Sequence, residues 1–221
     1  MKKIDWTILI LILFTYIVGI YLYPKLPEQI PIHWNIEGEV DFYGGKLFGT
    51  FLIPTLNLFF FAMFVLLPKL DPRKENYQKF TGSYKIIRHT VHLFFILLFF
   101  VTMYHSLKVT EETPKYLEIS FIVPFTVSIL LIILGNYLGK IKDNFFVGIK
   151  TPWTLSSKNV WYKTHRLASK LYVLSGILGL IGSFFNGTIS AILLIVPILT
   201  STVVIVFYSY FEYQKEIKNQ A

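Results

Sequence analysis

GNYLGKIKDNFFVGIKTPWTLSSKNVWYKTHRLASK, residues 135–170, is the longest polar interruption in the second half of this chain and lies between two long apolar runs. It holds seven of the 21 basic residues, namely Lys140, Lys142, Lys150, Lys158, Lys163, Arg166 and Lys170, together with Trp153 and Trp161. A plain connector between apolar helices is shorter and blander than this. Gly135-Asn136 and Gly139 stand where the preceding helix should end, and Gly148 permits a turn before Lys150. Thr151-Pro152 suits a helix start, because proline at the first helical position forgoes an N–H that has no partner there. Ser156 and Ser157 offer a second N-cap of equal quality. From there Trp161, His165, Ala168, Tyr172 and Ser175 share one helical face. The expected product is an amphipathic surface helix that runs into the next apolar run.

The composition says what the flanking runs are. The 221 residues are 54% hydrophobic and 15% charged, against about 25% charged in soluble domains. Six segments approach the length of roughly 20 mostly apolar residues that a bilayer crossing needs: 4–23, 48–67, 86–107, 117–138, 167–185 and 189–211. In lipid each must be helical, since a helix satisfies its own backbone. The expected fold is therefore all-α, a polytopic bundle of six transmembrane helices. Asp5 should stay at the interface, because charge inside lipid is costly. Pro54, Pro124 and Pro197 fall inside spans, where each removes a backbone donor and shapes its helix. The first run lacks a following small-residue cleavage pattern and reads as a retained span. With no cysteine in the chain, disulfides and thiolate metal sites are excluded.

Basic residues set the orientation. Seventeen of them, at the amino end, in the 68–88 connector, in 135–170 and in the tail, fall on one side; Lys25, Lys46, Lys108 and Lys115 fall on the other. The positive-inside rule places the first set, and with it both termini, in the cytoplasm. This accounts for the net charge of +8 without invoking nucleic acid. Outside lie 24–47, 108–116 and the turn Asn186-Gly187-Thr188. The 68–88 connector reads as a solvated loop that fixes topology, and the tail as a short frayed helix.

The outer stretch 24–47, PKLPEQIPIHWNIEGEVDFYGGKL, is the second informative segment. Its prolines make the first half extended. Asn35 to Gly38 reads as a turn with Gly38 at positive φ. His33, Asn35, Glu37 and Asp41 could gather a ligand, but one histidine with loop carboxylates is a weak metal signal, and a self-bonded loop is the plainer reading.

On Asn136, Gly139, Asn144, Gly148, Lys150, Thr151-Pro152-Trp153-Thr154, Ser157, Trp161, Thr164-His165-Arg166 and Lys170, the chain resembles the SdpI family, integral-membrane immunity proteins that protect bacteria from a sporulation-delaying toxin. His33, Trp34, Asn35, Gly38, Asp41 and Lys46 resemble a small domain of unknown function often found at the amino end of SdpI relatives. Two regions are expected: 1–67, with the outer loop, and 68–221, a four-span region with the signature loop. The resemblance implies resistance to a membrane-active peptide toxin, and signalling in which a transcriptional repressor is held at the membrane. The outer-loop residues then face the toxin. Asn136, Asn144, Lys150, Thr151, Pro152, Trp153, Ser157, Trp161, Thr164, His165 and Arg166 form the cytoplasmic partner surface. No cofactor and no metal is expected, and lipid is the standing partner.

Other features carry plainer readings. His89 and His92, three apart in the third span beside Arg88, read as an interfacial hydrogen-bonding pair rather than a metal or proton site. Trp153, Trp161, Tyr162 and Tyr172 suit an aromatic belt at headgroup level. Ser175, Gly179 and Ser183 form a small-residue stripe for close helix packing, within the monomer or between copies. No nucleophile elbow, HExxH, phosphate loop or intramembrane carboxylate pair appears, so no enzyme is expected. The rival readings are a small transporter or flippase, and a structural membrane protein with no toxin.

Overall fold

The computed structural model describes residues 5–107, 118–185 and 187–219. Lys2, Lys3, the 108–116 connection and Asn186 lie outside the described residues. The helices are α1 (Trp6–Leu22), α2 (Lys46–Leu70), α3 (Thr81–Leu107), α4 (Ile119–Leu138), α5 (Pro152–Ser156), α6 (Lys158–Gly182) and α7 (Gly187–Lys218), with 3-10 turns at Tyr23–Lys25 and Lys74–Phe80. Among the described residues α1, α2, α3, α4 and α7 are long and apolar enough to cross a membrane. The chain is a multi-pass membrane protein, mostly helical. Helix α6 is as long as α2, but its first turns carry Lys158, Lys163, Arg166 and Lys170, which leaves an apolar stretch of only 171–182. The expected surface helix and the expected fifth span are thus one unbroken helix.

A departure from an all-helical chain occurs at 24–47. The extended half becomes β1 (Gln29–Trp34), which pairs antiparallel with β2 (Val40–Gly45). Gly38 takes φ 86° in the connecting turn, a region that disfavours any residue with a Cβ. A Cβ on Gly38 would stand 3.0 Å from Ser120 Cβ, so the hairpin tip rests on the start of α4. Beneath the hairpin Leu26 and Ile30 pack with Phe99 and Met103 of α3.

Small residues fix the second half. A Cβ added to Gly179 would stand 2.6 Å from both Leu194 Cδ1 and Ser128 Oγ, and one at Gly176 would stand 2.7 Å from Ile132 Cγ1. Ser175 Oγ shares a 3.0 Å hydrogen bond with Ser201 Oγ. The stripe therefore wedges α6 between α4 and α7 of the same chain. Pro54, Pro124 and Pro197 lie inside α2, α4 and α7.

Polar contacts between helix ends show which ends share a side. Asp5 Oδ2 accepts from Arg88 at 2.9 Å and lies 2.8 Å from His89 Nε2, tying the start of α1 to the start of α3. Glu212, near the end of α7, meets Lys163 of α6 at 2.8 Å. On the opposite side the hairpin meets the starts of α4 and α7; a Cβ on Gly187 would overlap Ile36 O. His92 does not share the interface with His89. It is fully buried, its Nδ1 lies 2.7 Å from Asn57 Oδ1, and Asn57 Nδ2 donates to its carbonyl at 3.3 Å. The amide of α2 pairs Nδ1 of the imidazole inside the bundle, while Nε2 is buried with no hydrogen-bond partner among the described residues.

Candidate functional site

The segment between α4 and α6 has little regular structure, and a buried amide replaces the missing backbone ladder. Asn144 is fully buried. Its Oδ1 accepts from the amides of Phe146 (2.9 Å) and Val147 (2.7 Å) and from Tyr77 Oη (3.2 Å). Its Nδ2 donates to the carbonyls of Lys142 (2.8 Å) and Val147 (2.9 Å). Every donor and acceptor of the side chain is used, so the turn is closed without the penalty of an unpaired buried group.

Asp71, at the end of α2 and 2% exposed, anchors the same turn. Its carboxylate accepts from the Arg73 amide (2.7 Å), Tyr77 Oη (3.1 Å) and the Phe145 amide (2.9 Å). Arg73 crosses from the connector to Asp143 at 3.3 Å and to Leu155 O at 2.8 Å, with its guanidinium 4.7 Å from the Phe145 ring centre. Asn76 adds a bond to Asp143 O at 2.9 Å. Tyr77, Phe80, Tyr84, Ile87, Ile141 and Trp161 form one buried cluster below these bonds. The 68–88 connector is therefore half of this block rather than a solvated loop.

Both expected helix caps are in use. Thr151 caps α5, its Oγ1 accepting from the Thr154 amide while Thr154 Oγ1 accepts from the Thr151 amide. Ser157 caps α6 by accepting from the Val160 amide, and donates to the Glu216 carboxylate at 2.8 Å. Thr151 Oγ1 and Ser209 Oγ lie 3.1 Å apart, so the end of α7 closes the block. Trp161 Nε1 donates to Ile141 O at 3.0 Å, and its ring stacks on His165 at 4.0 Å between centroids.

His165 is 1% exposed. Nδ1 lies 2.8 Å from Trp161 O, and the Ile149 amide donates to Nε2 at 2.9 Å. The carbonyl demands a donor and the amide an acceptor, which selects the neutral tautomer with hydrogen on Nδ1. Gly148, at φ 115°, presses on this ring so closely that a Cβ there would overlap Nε2. Burial pushes the imidazole down to about 4, outweighing the upward pull of the Trp161 carbonyl. The folded state thus holds His165 neutral where the unfolded chain, near 6.5, takes up a proton. Stability from this group is present above that value and is lost as pH falls towards about 4. The stability of the purified protein is expected to fall between pH 7 and pH 4.5, by at most about 3 kcal/mol from this group, and its thermal midpoint should drop accordingly. His165→Gln should flatten that part of the profile; an unchanged slope would remove His165 as its source.

The expected partner surface divides sharply. Asn144, Thr151, Ser157, Trp161, Thr164 and His165 are buried, at 8% exposure or less. They build the block and cannot present side chains to a partner, which corrects the reading of them as contact residues. Asn136, Lys150, Pro152 and Arg166 are exposed and Trp153 is half-buried against Tyr210. Trp161 is likewise no part of an aromatic belt, since its indole is bonded inside.

At the other end, His33 Nδ1 lies 2.6 Å from Asp41 Oδ1 across the hairpin, and Asn35 Oδ1 accepts from the amides of Glu37 and Glu39. Trp34 meets His105 edge-on at 6.5 Å. Lys46, the first residue of α2, reaches Glu28 at 3.4 Å and lies over the Tyr23 ring. Among the described residues no group of three His, Asp or Glu side chains is placed to hold a metal.

Five residues of the block were not foreseen. Asp71, Arg73 and Tyr77 sit in what read as a topogenic loop, and their partners lie about seventy residues away. Glu212 and Glu216 were the most accessible signal, being two acids one helical turn apart that face Lys163 and Ser157.

Comparison with known proteins covers both ends of the molecule. A domain of unknown function, DUF1648, matches residues 10–58, which span α1, the hairpin and half of α2. The SdpI/YfhL protein family matches residues 140–209, from the block through most of α7. The chain is 30% identical over 215 residues to the Immunity protein SdpI of Bacillus subtilis (strain 168), covering 97% of this chain and 98% of that protein. It is also 35% identical over 63 residues to the uncharacterized membrane protein YbgB of the same organism, covering 24% of this chain and 69% of that protein. No solved structure matches. End-to-end likeness to an SdpI protein, with the family's region falling on the block that Asn144, Trp161 and His165 hold together, shows that the chain belongs to the SdpI family.

Proposed function

We propose that this protein protects its producing cell from a membrane-active peptide toxin, and that it reports the toxin by holding a transcriptional repressor at the membrane. The observation that carries the reading is likeness to an immunity protein over 97% of the chain. Six crossings, with α6 as the fifth, put the hairpin outside and the block in the cytoplasm, in line with the distribution of basic residues. The hairpin, through His33, Trp34, Asn35, Gly38, Asp41 and Lys46, faces the toxin. The repressor meets the exposed part of the block, Lys150, Pro152 and Trp153 with Asn136; Arg166 instead lines a groove between α6 and α7.

The test pairs two readouts on each variant in a toxin-sensitive strain: survival under toxin, and the membrane-bound fraction of the cognate repressor. Expression of the unaltered chain should confer survival. Lys150→Glu and Trp153→Ala alter an exposed and a half-buried side chain and should cost about 1 kcal/mol of stability or less. They should keep abundance and survival and lose recruitment. Absence of protection by the unaltered chain sinks the immunity reading; loss of survival and recruitment together at full abundance sinks the division of labour.

A further inference from the structure

Between α6 and α7, on the side of the loop block, lies an open groove of about 380 Å³ lined by Asn159, Tyr162, Lys163, Arg166, Lys170 and Tyr208. Its charge is one-sided. Of the two carboxylates beside it, Glu212 is engaged by Lys163 and by Lys215 at 3.1 Å, and Glu216 accepts from Ser157 Oγ at 2.8 Å and from Asn159 Nδ2 at 3.1 Å. Arg166 and Lys170 are exposed and take part in none of the ion pairs among the described residues. Two free cations one turn apart, with two tyrosines and an amide, are donors suited to a phosphodiester.

The same face of α6 then changes character. Arg166 and Lys170 continue at helical spacing into Leu174, Ile177 and Ile181, all exposed. Val203, Val204 and Phe207 of α7 are exposed as well. A basic head pocket that runs straight into an apolar track matches a ligand with a phosphate at one end and acyl chains at the other. A soluble phosphate would leave the track unused. A protein partner would need polar ground beyond the pocket where the structure offers hydrocarbon.

We propose that the α6–α7 groove binds one anionic phospholipid, its phosphate between Arg166 and Lys170 and its acyl chains along Leu174, Ile177 and Ile181. The site is independent of the immunity reading. Because α6 begins at the Ser157 cap, a lipid held there ties the signature block to the headgroup layer. The tails run alongside the α4–α6–α7 wedge.

The experiment uses the purified full-length protein in neutral detergent, titrated with dioleoyl phosphatidylglycerol or dioleoyl phosphatidylcholine, with bound lipid counted by native mass spectrometry. One phosphatidylglycerol should be retained in preference to phosphatidylcholine. The double variant R166Q/K170Q should weaken that retention by roughly tenfold or more. The double variant K140Q/K142Q removes the same net charge outside the groove and should leave it unchanged. Equal retention of the two lipids, equal loss in both double variants, or unaltered binding in R166Q/K170Q each overturns the proposal. Displacement of the lipid by millimolar inorganic phosphate would show a soluble-anion site and also overturn it. A thermal midpoint of R166Q/K170Q within a few degrees of the parent separates loss of the site from loss of the fold.

Discussion

Asn144→Asp is expected to dismantle the loop block, although it changes one side-chain atom. The three donors to Oδ1, from Phe146, Val147 and Tyr77, would still find an oxygen. The two bonds from Nδ2 would become oxygen facing oxygen at Lys142 and Val147, where the present distances are 2.8 and 2.9 Å. A charge would enter a fully buried position, and the Tyr77 hydroxyl already serves the Asp71 carboxylate at 3.1 Å. An uncompensated buried charge costs about 3–5 kcal/mol, a large share of the stability of an ordinary domain. Limited proteolysis of the purified protein should cut Asn144→Asp between α4 and α6 under conditions that leave the parent intact. Abundance in the membrane should fall with it. Parent-like protection at neutral pH would mean that the turn is held by something other than this amide.

Gly179→Leu is the second large effect. Its Cβ alone would enter the space of Leu194 Cδ1 and Ser128 Oγ at 2.6 Å, and three further carbons would follow. Ser128 is not free to yield, because its hydroxyl donates to Pro124 O at 2.7 Å inside α4. Overpacking a tight core costs typically about 1–3 kcal/mol, and here both neighbours of α6 are struck at once, so the upper end is expected. Loss of the protein from the membrane fraction should follow. Gly82→Ala is the contrasting substitution: nothing stands within 4 Å of a Cβ there, and its effect should stay within about 0.5 kcal/mol of the parent. Full abundance of Gly179→Leu would show that this face of α6 meets lipid.

Local chemistry was readable in the sequence and long-range pairing was not. Thr151 and Ser157 were identifiable as caps because a cap depends on a hydroxyl and a helix start within three residues. Trp161 and His165 were placed on one face by spacing alone, but their burial was not foreseen, because the partners that cover them, Ile141 and Ile149, have no polar signature. Asp71 and Tyr77 looked like loop residues until the 135–170 stretch was folded onto them. The hairpin was hidden for a different reason. Pro31 interrupts the donor pattern, and register shifts flank His33, so the alternation that marks a strand is broken. His92 shared a period with His89, yet one turn further into the bundle it meets Asn57 instead of Asp5.

Two faces with separate tasks are the centre of this account, and sidedness tests it most directly. The chain has no native cysteine, so single cysteines can be placed at Ser156, exposed on α5, and at Glu37, exposed at the hairpin tip. Intact cells are treated with a membrane-impermeant maleimide, and permeabilised cells serve as the reference. Glu37→Cys should label in intact cells, and Ser156→Cys only after permeabilisation. Labelling of Ser156→Cys in intact cells would place the signature block outside and contradict both surface assignments.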